Sequence, residues 1–375
     1  MRLSSAIHLT RTALQPLQKN AWIKSTCLPK ARVLSTPLYR HGWQPSTIRM
    51  TTTANIPTDS TTADSKPKRI LYGGWIDKLP EKWAPYAFLA RIDKPIGTWL
   101  LFWPCAWSAT MAAYSHHFSE WDTAVMIAAM GFGAVAMRGA GCTINDLWDR
   151  NMDNKVERTK IRPVAAGTVT VPQAIAFTGA QMFCALGTFM MLNNYTKVLS
   201  LSSLALVVTY PLMKRVTYWP QVVLGLAFNY GALVGWSAMT GSLDYAVCAP
   251  LYLGGVAWTL TYDTIYAHQD KRDDVLAGVK STALRFGDKT PQWLTGFSSA
   301  FVGLTALAGY MNGQGLPFYL ISVGGTAAHL AWQLRTVNYD DPKSCWQKFA
   351  SNKQIGAIVW SGLLADTALA ASYVA

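Results

Sequence analysis

Long apolar runs recur along this sequence from Ile96 to its C-terminal end. Nine runs come close to the length that crosses the hydrocarbon core of a bilayer, which is about 20 helical residues. They cover residues 96–115, 122–143, 172–192, 197–213, 219–239, 245–262, 292–312, 315–334 and 353–374. The sequence therefore predicts an all-α polytopic membrane protein, with nine transmembrane helices around a central cavity.

The distribution of charge supports this prediction. Only 14% of the 375 residues are charged, whereas soluble domains carry about 25% charged residues. Basic residues collect in the loops after the second, fourth, sixth and eighth runs, and the other loops hold only Lys197. Because positive charge stays on the side of a membrane that is not translocated, these four loops are predicted to share one face.

The N-terminal segment differs in composition from the rest of the chain. Residues 1–58 contain eight Arg or Lys, no Asp or Glu, and no continuous apolar core of a secretory signal. This pattern predicts a mitochondrial transit peptide over residues 1–50, with a disordered basic tail as the alternative. Residues 51–75 are predicted to be a flexible linker and residues 76–375 the membrane domain, whose basic face would be the matrix side of the inner membrane. Residues 75–95 mix aromatic with charged side chains, which predicts an interfacial entry helix.

An acidic stretch, NDLWDRNMD at residues 145–153, follows the second apolar run almost without a break. If the helix continues through it, Asn145, Asp149 and Asp153 recur every four residues and share one helical face. Carboxylates stacked in this way repel one another, so they require cations that neutralise them. Arg138 lies two helical turns earlier on the same face. We expect it to bind an anion or an aspartate in the cavity, and snorkelling to the interface is the alternative.

A second acidic stretch follows the sixth run on the same predicted side of the membrane. Within it, Asp270 and Asp274 repeat the four-residue spacing. Carboxylates with an amide oxygen, and without a Cys or His cluster, suit Mg²⁺, which proteins hold through one or two carboxylates and substrate phosphates. A diphosphate is therefore the expected further ligand, and nearby basic residues can contact it. A polar loop whose acids and bases pair locally is the alternative for each stretch.

These residues resemble the UbiA family of intramembrane prenyltransferases. The first motif of that family, N-D-x-x-D-x-x-x-D, is complete at residues 145–153. The second motif, D-x-x-Y-A-x-x-D-x-x-x-D, is complete from Asp263 to Asp274. The resemblance extends from about residue 86 to the C-terminal end and implies nine transmembrane helices with Mg²⁺-dependent prenyl transfer.

The sequences that flank the motifs, at residues 89–108, 138–150 and 210–225, are similar to those of family members that prenylate 4-hydroxybenzoate in ubiquinone biosynthesis. This similarity implies polyprenyl diphosphate and 4-hydroxybenzoate as substrates and membrane lipid as the surroundings. It also implies other proteins of ubiquinone biosynthesis as partners, and no nucleic acid. A relative that prenylates haem, homogentisate or naphthoate is one alternative, and a cation-coupled carrier is another.

The resemblance also implies roles for single residues. The residues expected to form the Mg²⁺ and diphosphate site are Asn145, Asp146, Asp149, Asp153, Asp270 and Asp274. Among them, Asp146 and Asp153 are expected to support the other four. The residues expected to contact diphosphate oxygens are Arg158, Arg162, Tyr210, Lys214, Arg215 and Lys280. The expected catalytic residues are Asp149, Asp270, Asp263 and Tyr266. Arg91 in the first place and Arg138 in the second are expected to bind the benzoate carboxylate.

Overall fold

Helices account for nearly all regular structure in the described residues, and no β-strand occurs among them. The computed structural model describes residues 70–154, 159–271, 274 and 278–374. The predicted transit peptide and most of the predicted linker lie outside this part of the chain. The all-α prediction is confirmed.

The described part contains twelve α-helices. In chain order, α1 to α12 are Ala84–Leu89, Ile96–His116, Glu120–Asp153, Val171–Met191, Asn194–Val216, Pro220–Phe228, Gly231–Thr240, Tyr245–Ala267, Thr282–Phe286, Thr290–Met311, Gly325–Thr336 and Pro342–Val374. Three 3₁₀ turns cover Gly74–Lys78, His268–Asp270 and Gly287–Lys289, and a π-helical segment, Phe318–Gly324, leads into α11. Each of the nine predicted runs coincides with one helix or with two consecutive helical segments.

Five helical stretches of the described residues are long and apolar enough to cross a membrane. They are Glu120–Asn151, Val171–Met191, Pro220–Thr240, Thr282–Met311 and Pro342–Ser372. Helices α2 and α8 fall outside this set because several Trp, Tyr and Thr side chains lower their mean hydropathy. The number of nine membrane crossings therefore stays a prediction.

The fifth predicted run is divided into α6 and α7 at a buried asparagine, Asn229. Its Nδ2 donates to the carbonyl oxygen of Gly225 at 2.9 Å and to Oγ1 of Thr259 at 2.8 Å. A side chain that bonds the preceding turn competes with the hydrogen bonds of the helix, which ends there. Beyond the break, α7 approaches α2 so closely that a Cβ at Gly235 would lie 2.3 Å from the carbonyl oxygen of Cys105.

The centre of the bundle is formed by α2 and α8, which both pack against α7 and α12. The ring centroids of Trp107 and Trp258 lie 5.4 Å apart, and Phe301 stacks on Trp258 at 5.5 Å. A buried indole needs an acceptor for its N–H. Nε1 of Trp107 donates to the carbonyl oxygen of Gly356 at 2.9 Å, and Nε1 of Trp258 donates to Oδ1 of Asn352 at 2.8 Å. Both acceptors belong to α12, so these bonds fix α12 against α2 and α8.

The segment before α2 is α-helical only over the six residues of α1, and just beyond that helix Arg91 has a positive φ of 56°, which a right-handed helix does not contain. This entry segment, Tyr72–Arg91, folds back on the loop after α3. The carboxylate of Asp77 accepts hydrogen bonds from two backbone N–H groups at the start of the segment. The ring of Tyr72 stacks on Phe88 at 4.6 Å, and its hydroxyl lies 3.0 Å from Oγ1 of Thr168.

Candidate active site

The first motif is helical, because α3 continues without a break to Asp153. Its polar side chains divide into two pairs. Asn145 and Asp149 are exposed, whereas Asp146 and Asp153, seven residues apart, are only 2% and 6% exposed. The burial of Asp153 separates it from the exposed pair, which differs from the single face that the spacing predicted. The exposed pair is thus the part of this motif that a ligand reaches.

The two buried carboxylates are paired with arginines from the elements on either side. Nη1 of Arg162, in the loop after α3, lies 3.3 Å from Oδ1 of Asp146 and 2.9 Å from Oδ2 of Asp153. Nη2 of Arg91, at the end of the entry segment, lies 3.8 Å from Oδ1 of Asp146. Such pairing is what allows carboxylates to remain charged when they are buried. Asp146 and Asp153 therefore anchor the end of α3 to its neighbours.

We expect Arg162→Met to lower the free energy of unfolding by about 2–4 kcal/mol, because it leaves Asp146 and Asp153 buried without their main partner. The measurement is thermal or denaturant unfolding of the purified protein in detergent. Arg285→Met, at an exposed arginine of α9, is the matched control and should leave the unfolding midpoint unchanged. Equal stability of the two variants would show that the pairs do not hold the end of α3.

Arg138 lies on α3, deeper in the bundle than the first motif. Its guanidinium occupies the space that a side chain at Gly97 of α2 would fill, since a Cβ there would lie 2.4 Å from Nε of Arg138. Nε is buried and has no hydrogen-bond partner among the described residues. Arg138 is also within electrostatic range of the buried Tyr262 of α8, as are Tyr210 of α5 and the adjacent Asp263. Three helices thus place polar groups around one buried position.

The second motif lies where α8 ends at Ala267 and a 3₁₀ turn, His268–Asp270, begins. Asp263, Tyr266, Asp270 and Asp274 are all half-buried. The ring of Tyr266 packs on Phe349 of α12, with 4.7 Å between the centroids. If each predicted run crosses the bundle once, four chain reversals separate α3 from α8, and their C-terminal ends are expected at the same end of the bundle.

Sequence reasoning missed His268, which occupies a variable position of the second motif. Its Nε2 lies 3.2 Å from Oγ1 of Thr290, and its ring packs 4.9 Å from that of Tyr339. Burial, with a smaller contribution from Lys271, lowers the pKa of His268 to about 4. The imidazole is therefore neutral near pH 7 and joins the turn to α10. The motif pattern alone contains no signal for this role.

Lys280, one of the predicted diphosphate contacts, lies beside the end of α5. Its Nζ donates to the carbonyl oxygen of Val216 at 3.2 Å and lies 5.6 Å from the ring centroid of Tyr218. This contact brings the loop after the second motif to the end of α5, the helix that carries Tyr210 and Arg215. Tyr210 is half-buried and Arg215 is exposed.

Of the other residues predicted to contact the diphosphate, only Arg162 has a side chain that the structure describes. Arg158 and the side chain of Lys214 lie outside the described residues. Arg162 is described, and it is bound to the carboxylates of the first motif. A diphosphate that recruits Arg162 therefore has to compete with these carboxylates or share the guanidinium with them.

The donor atoms of the two motifs fit Mg²⁺. No three His, Cys, Asp or Glu side chains group closely enough to enclose a metal ion among the residues that the structure describes. Mg²⁺ does not need such a group, because one or two carboxylates hold it when substrate phosphates complete its coordination. The available oxygens are the amide of Asn145 and the carboxylates of Asp149, Asp270 and Asp274, and these are the hard donors that this ion prefers.

Comparison with known proteins agrees with this arrangement of helices and motifs. A profile described as the UbiA prenyltransferase family matches residues 101–361. The fold and the paired motifs thus define an intramembrane prenyltransferase, and the chain belongs to the UbiA family. It is 54% identical over 289 residues to the mitochondrial 4-hydroxybenzoate polyprenyltransferase of Homo sapiens, covering 77% of each chain. It is 50% identical over 320 residues to that of Arabidopsis thaliana, covering 82% of this chain and 78% of the relative.

Solved structures of the same family share the fold. The apo structure of a UbiA homolog from Aeropyrum pernix K1 has a TM-score of 0.59 and 23% identity, covering 71% of this chain and 97% of that one. A UbiA homolog from Archaeoglobus fulgidus bound to GPP and Mg²⁺ has a TM-score of 0.54 and 17% identity, covering 76% and 99%. These similarities confirm the architecture of the bundle.

Proposed function

We propose that this chain transfers a polyprenyl group from an all-trans polyprenyl diphosphate to 4-hydroxybenzoate. The products are diphosphate and 3-polyprenyl-4-hydroxybenzoate, an intermediate of ubiquinone biosynthesis. The observation that carries the proposal is the pair of complete aspartate motifs in a chain that is 54% identical to the human relative over 289 residues. The names of the human and Arabidopsis relatives give this activity for those proteins.

The diphosphate end of the donor is assigned to the space between the two motifs. Tyr210, Arg215 and Lys280 lie on the α5 side of this space and supply hydroxyl and cationic groups for its oxygens. Asn145 and Asp149 on α3, with Asp270 and Asp274 beyond α8, would hold Mg²⁺. When bound, this ion neutralises the diphosphate and makes it a better leaving group. The apolar tail remains in the bundle or the bilayer.

The acceptor is assigned to the deeper part of the same space. Arg91 is already paired with Asp146, whereas Nε of Arg138 is buried and unpartnered among the described residues. We therefore place the benzoate carboxylate on Arg138, reversing the order of preference that the sequence suggested. The carboxylate orients the ring so that the carbon ortho to the hydroxyl faces the allylic carbon.

The reaction exchanges one bond for another. The allylic C–O bond of the donor breaks and its electron pair leaves with the diphosphate. The ortho carbon of 4-hydroxybenzoate forms a C–C bond to the allylic carbon, and loss of the ring proton from that carbon restores aromaticity. Tyr266, held by Phe349, is the aromatic group of the second motif that can stabilise the allylic cation through its ring face. Asp263, one helical turn before Tyr266 on α8, orients the rest of the second motif.

The chain is a mitochondrial membrane protein. We place it in the inner membrane with its active site toward the matrix, and the distribution of Lys and Arg among the loops supports this orientation. Residues 1–50 would direct the chain to the organelle and be removed there. Tyr72 and the rest of the entry segment belong to the folded domain, so the cleavage point is assigned upstream of Tyr72.

The proposed activity is tested by incubating the purified full-length chain with a mixture of prenyl diphosphates and a panel of acceptors. We expect mass spectrometry to detect prenylated 4-hydroxybenzoate, no product from haem, homogentisate or naphthoate, and no product when EDTA removes Mg²⁺. Product from another acceptor alone would assign the chain to a different branch of the family. Substrate flux across proteoliposomes without a covalent product would instead support the carrier alternative.

A further inference from the structure

Lys348 on α12 is only 8% exposed, although its side chain carries a charge. Its Nζ lies 3.5 Å from the ring centroid of Trp332 on α11. No carboxylate pairs with Lys348 among the residues that the structure describes. A cation that is withdrawn from water requires a counter-charge. The indole face supplies only part of it.

The backbone at Lys348 is held by hydrogen bonds from two buried amide side chains. The carbonyl oxygen of Lys348 accepts hydrogen bonds from Nε2 of Gln333 at 3.1 Å and from Nδ2 of Asn352 at 3.0 Å. Asn352 is the residue that also accepts from the buried Trp258. These bonds tie the turn that carries Lys348 to α11, and its ammonium lies in the seam between α11 and α12, against the indole of Trp332.

Trp332 and Lys348 lie near the ends of their helices, where we expect the membrane interface. Trp332 is 46% exposed on the outside of the bundle. It precedes the end of α11 at Thr336 by four residues, and Lys348 follows the start of α12 at Pro342 by six. At 1.5 Å per residue, both lie about 6–9 Å from the helix ends. Trp and Lys at this depth contact lipid headgroups.

A second group that can bind an anion lies beside the same indole. The ring of His329 is 5.1 Å from that of Trp332, and its Nε2 lies 3.4 Å from Oγ of Ser351. The ammonium and the imidazole are within electrostatic range of each other. Deeper in the same segment the outer surface is apolar, since Leu320 is 65% exposed. A ligand of this seam thus meets one cation and an imidazole at one end and an apolar surface at the other.

We propose that Lys348, Trp332 and His329 form a binding site for the phosphate of an anionic phospholipid, outside the active site. The phosphate would lie against the ammonium of Lys348, and the acyl chains would cover the apolar surface that continues toward Leu320. A lipid is favoured over a soluble anion because the seam faces the bilayer. Basic positions between transmembrane helices bind anionic headgroups in this way.

The test uses the full chain in nanodiscs of phosphatidylcholine, alone or with phosphatidylglycerol of the same acyl chains. Bound lipid is counted by native mass spectrometry and the unfolding temperature is recorded. We expect phosphatidylglycerol to be retained in preference to phosphatidylcholine and to raise the unfolding temperature. Lys348→Met should weaken its binding about tenfold, as expected for one charge-assisted contact. Lys348→Arg should retain the binding of the natural protein.

Lys353→Met is the matched control, because Lys353 is an exposed lysine on another face of the same helix, and it should bind phosphatidylglycerol normally. Equal binding by Lys348→Met and Lys353→Met would overturn the site. Failure of the natural protein to prefer phosphatidylglycerol would overturn it without any variant. Stabilisation by inorganic phosphate alone, to the same extent as by the lipid, would assign the seam to a soluble anion instead.

Discussion

Asp149→Ala and Asp270→Ala should each lower prenyl transfer to 4-hydroxybenzoate by about 10³-fold, the upper range for loss of one group that stabilises developing charge. Asp149 is exposed at the end of α3 and forms no ion pair among the described residues. Its exposed carboxylate is therefore one of the ligands that we propose for Mg²⁺. The measurement is initial rate against Mg²⁺ concentration in liposomes, with product identified by mass spectrometry.

The matched control for this loss is Asp122→Ala. Asp122 is an exposed acid of the same helix, but it lies at the opposite end, where its carboxylate accepts a hydrogen bond from Ser119 at 2.7 Å. Its replacement should leave the rate within about twofold, since surface substitutions change stability little. If both motif variants kept substantial activity, the assignment of the metal and diphosphate to these carboxylates would be wrong.

Arg138→Met should lower kcat/KM for 4-hydroxybenzoate by about 10²-fold, as expected for loss of a hydrogen-bonded charge at a buried carboxylate. The KM for the prenyl diphosphate should change little, because the proposed diphosphate contacts lie on α5 and after the second motif. A phenol without the carboxylate gives a sharper test. It should be a poor acceptor for the natural protein and no poorer for the variant, because the interaction that Arg138 makes is already missing.

Two further variants, Gly97→Ala and Arg91→Met, test whether Arg138 rather than Arg91 binds the acceptor. Gly97→Ala keeps Arg138 but places a Cβ 2.4 Å from its Nε, so we expect it to raise the KM for 4-hydroxybenzoate about tenfold. Gly303→Ala is its control, because no atom lies within 4 Å of a Cβ there. Arg91→Met should affect stability more than acceptor KM. The opposite ranking of Arg91 and Arg138 would restore the assignment that the sequence first suggested.

The sequence predicts the helices of the bundle well, because a membrane helix needs a continuous apolar run and little else in the chain has one. It does not predict where such a run breaks. The side chain of Asn229 bonds both the preceding turn and Thr259 in a different helix, and no local pattern records the second partner. The entry segment is likewise predicted as one helix, although α1 covers only six of its residues and Arg91 just beyond it has a positive φ.

The sequence predicts which residues form the site, but it does not predict which of them are buried in ion pairs and which are exposed. A four-residue spacing places Asn145, Asp149 and Asp153 near one another on α3, yet it does not define how α3 is rotated in the bundle. That rotation buries Asp153 and leaves Asp149 exposed. The pairing of Arg162 with Asp153 depends on how the following loop folds back, and this is tertiary information.

The entry segment has a consequence for the order in which the domain assembles. The contact between Tyr72 and Thr168 joins residues 96 positions apart, so it cannot form until α2 and α3 have both entered the membrane. Contacts between distant residues form late, because the intervening chain must first be closed into a loop. Arg91 is carried by the same segment and reaches Asp146 only when that segment docks. We therefore expect a chain that is halted after α3 to hold the first motif without its complete set of arginine partners.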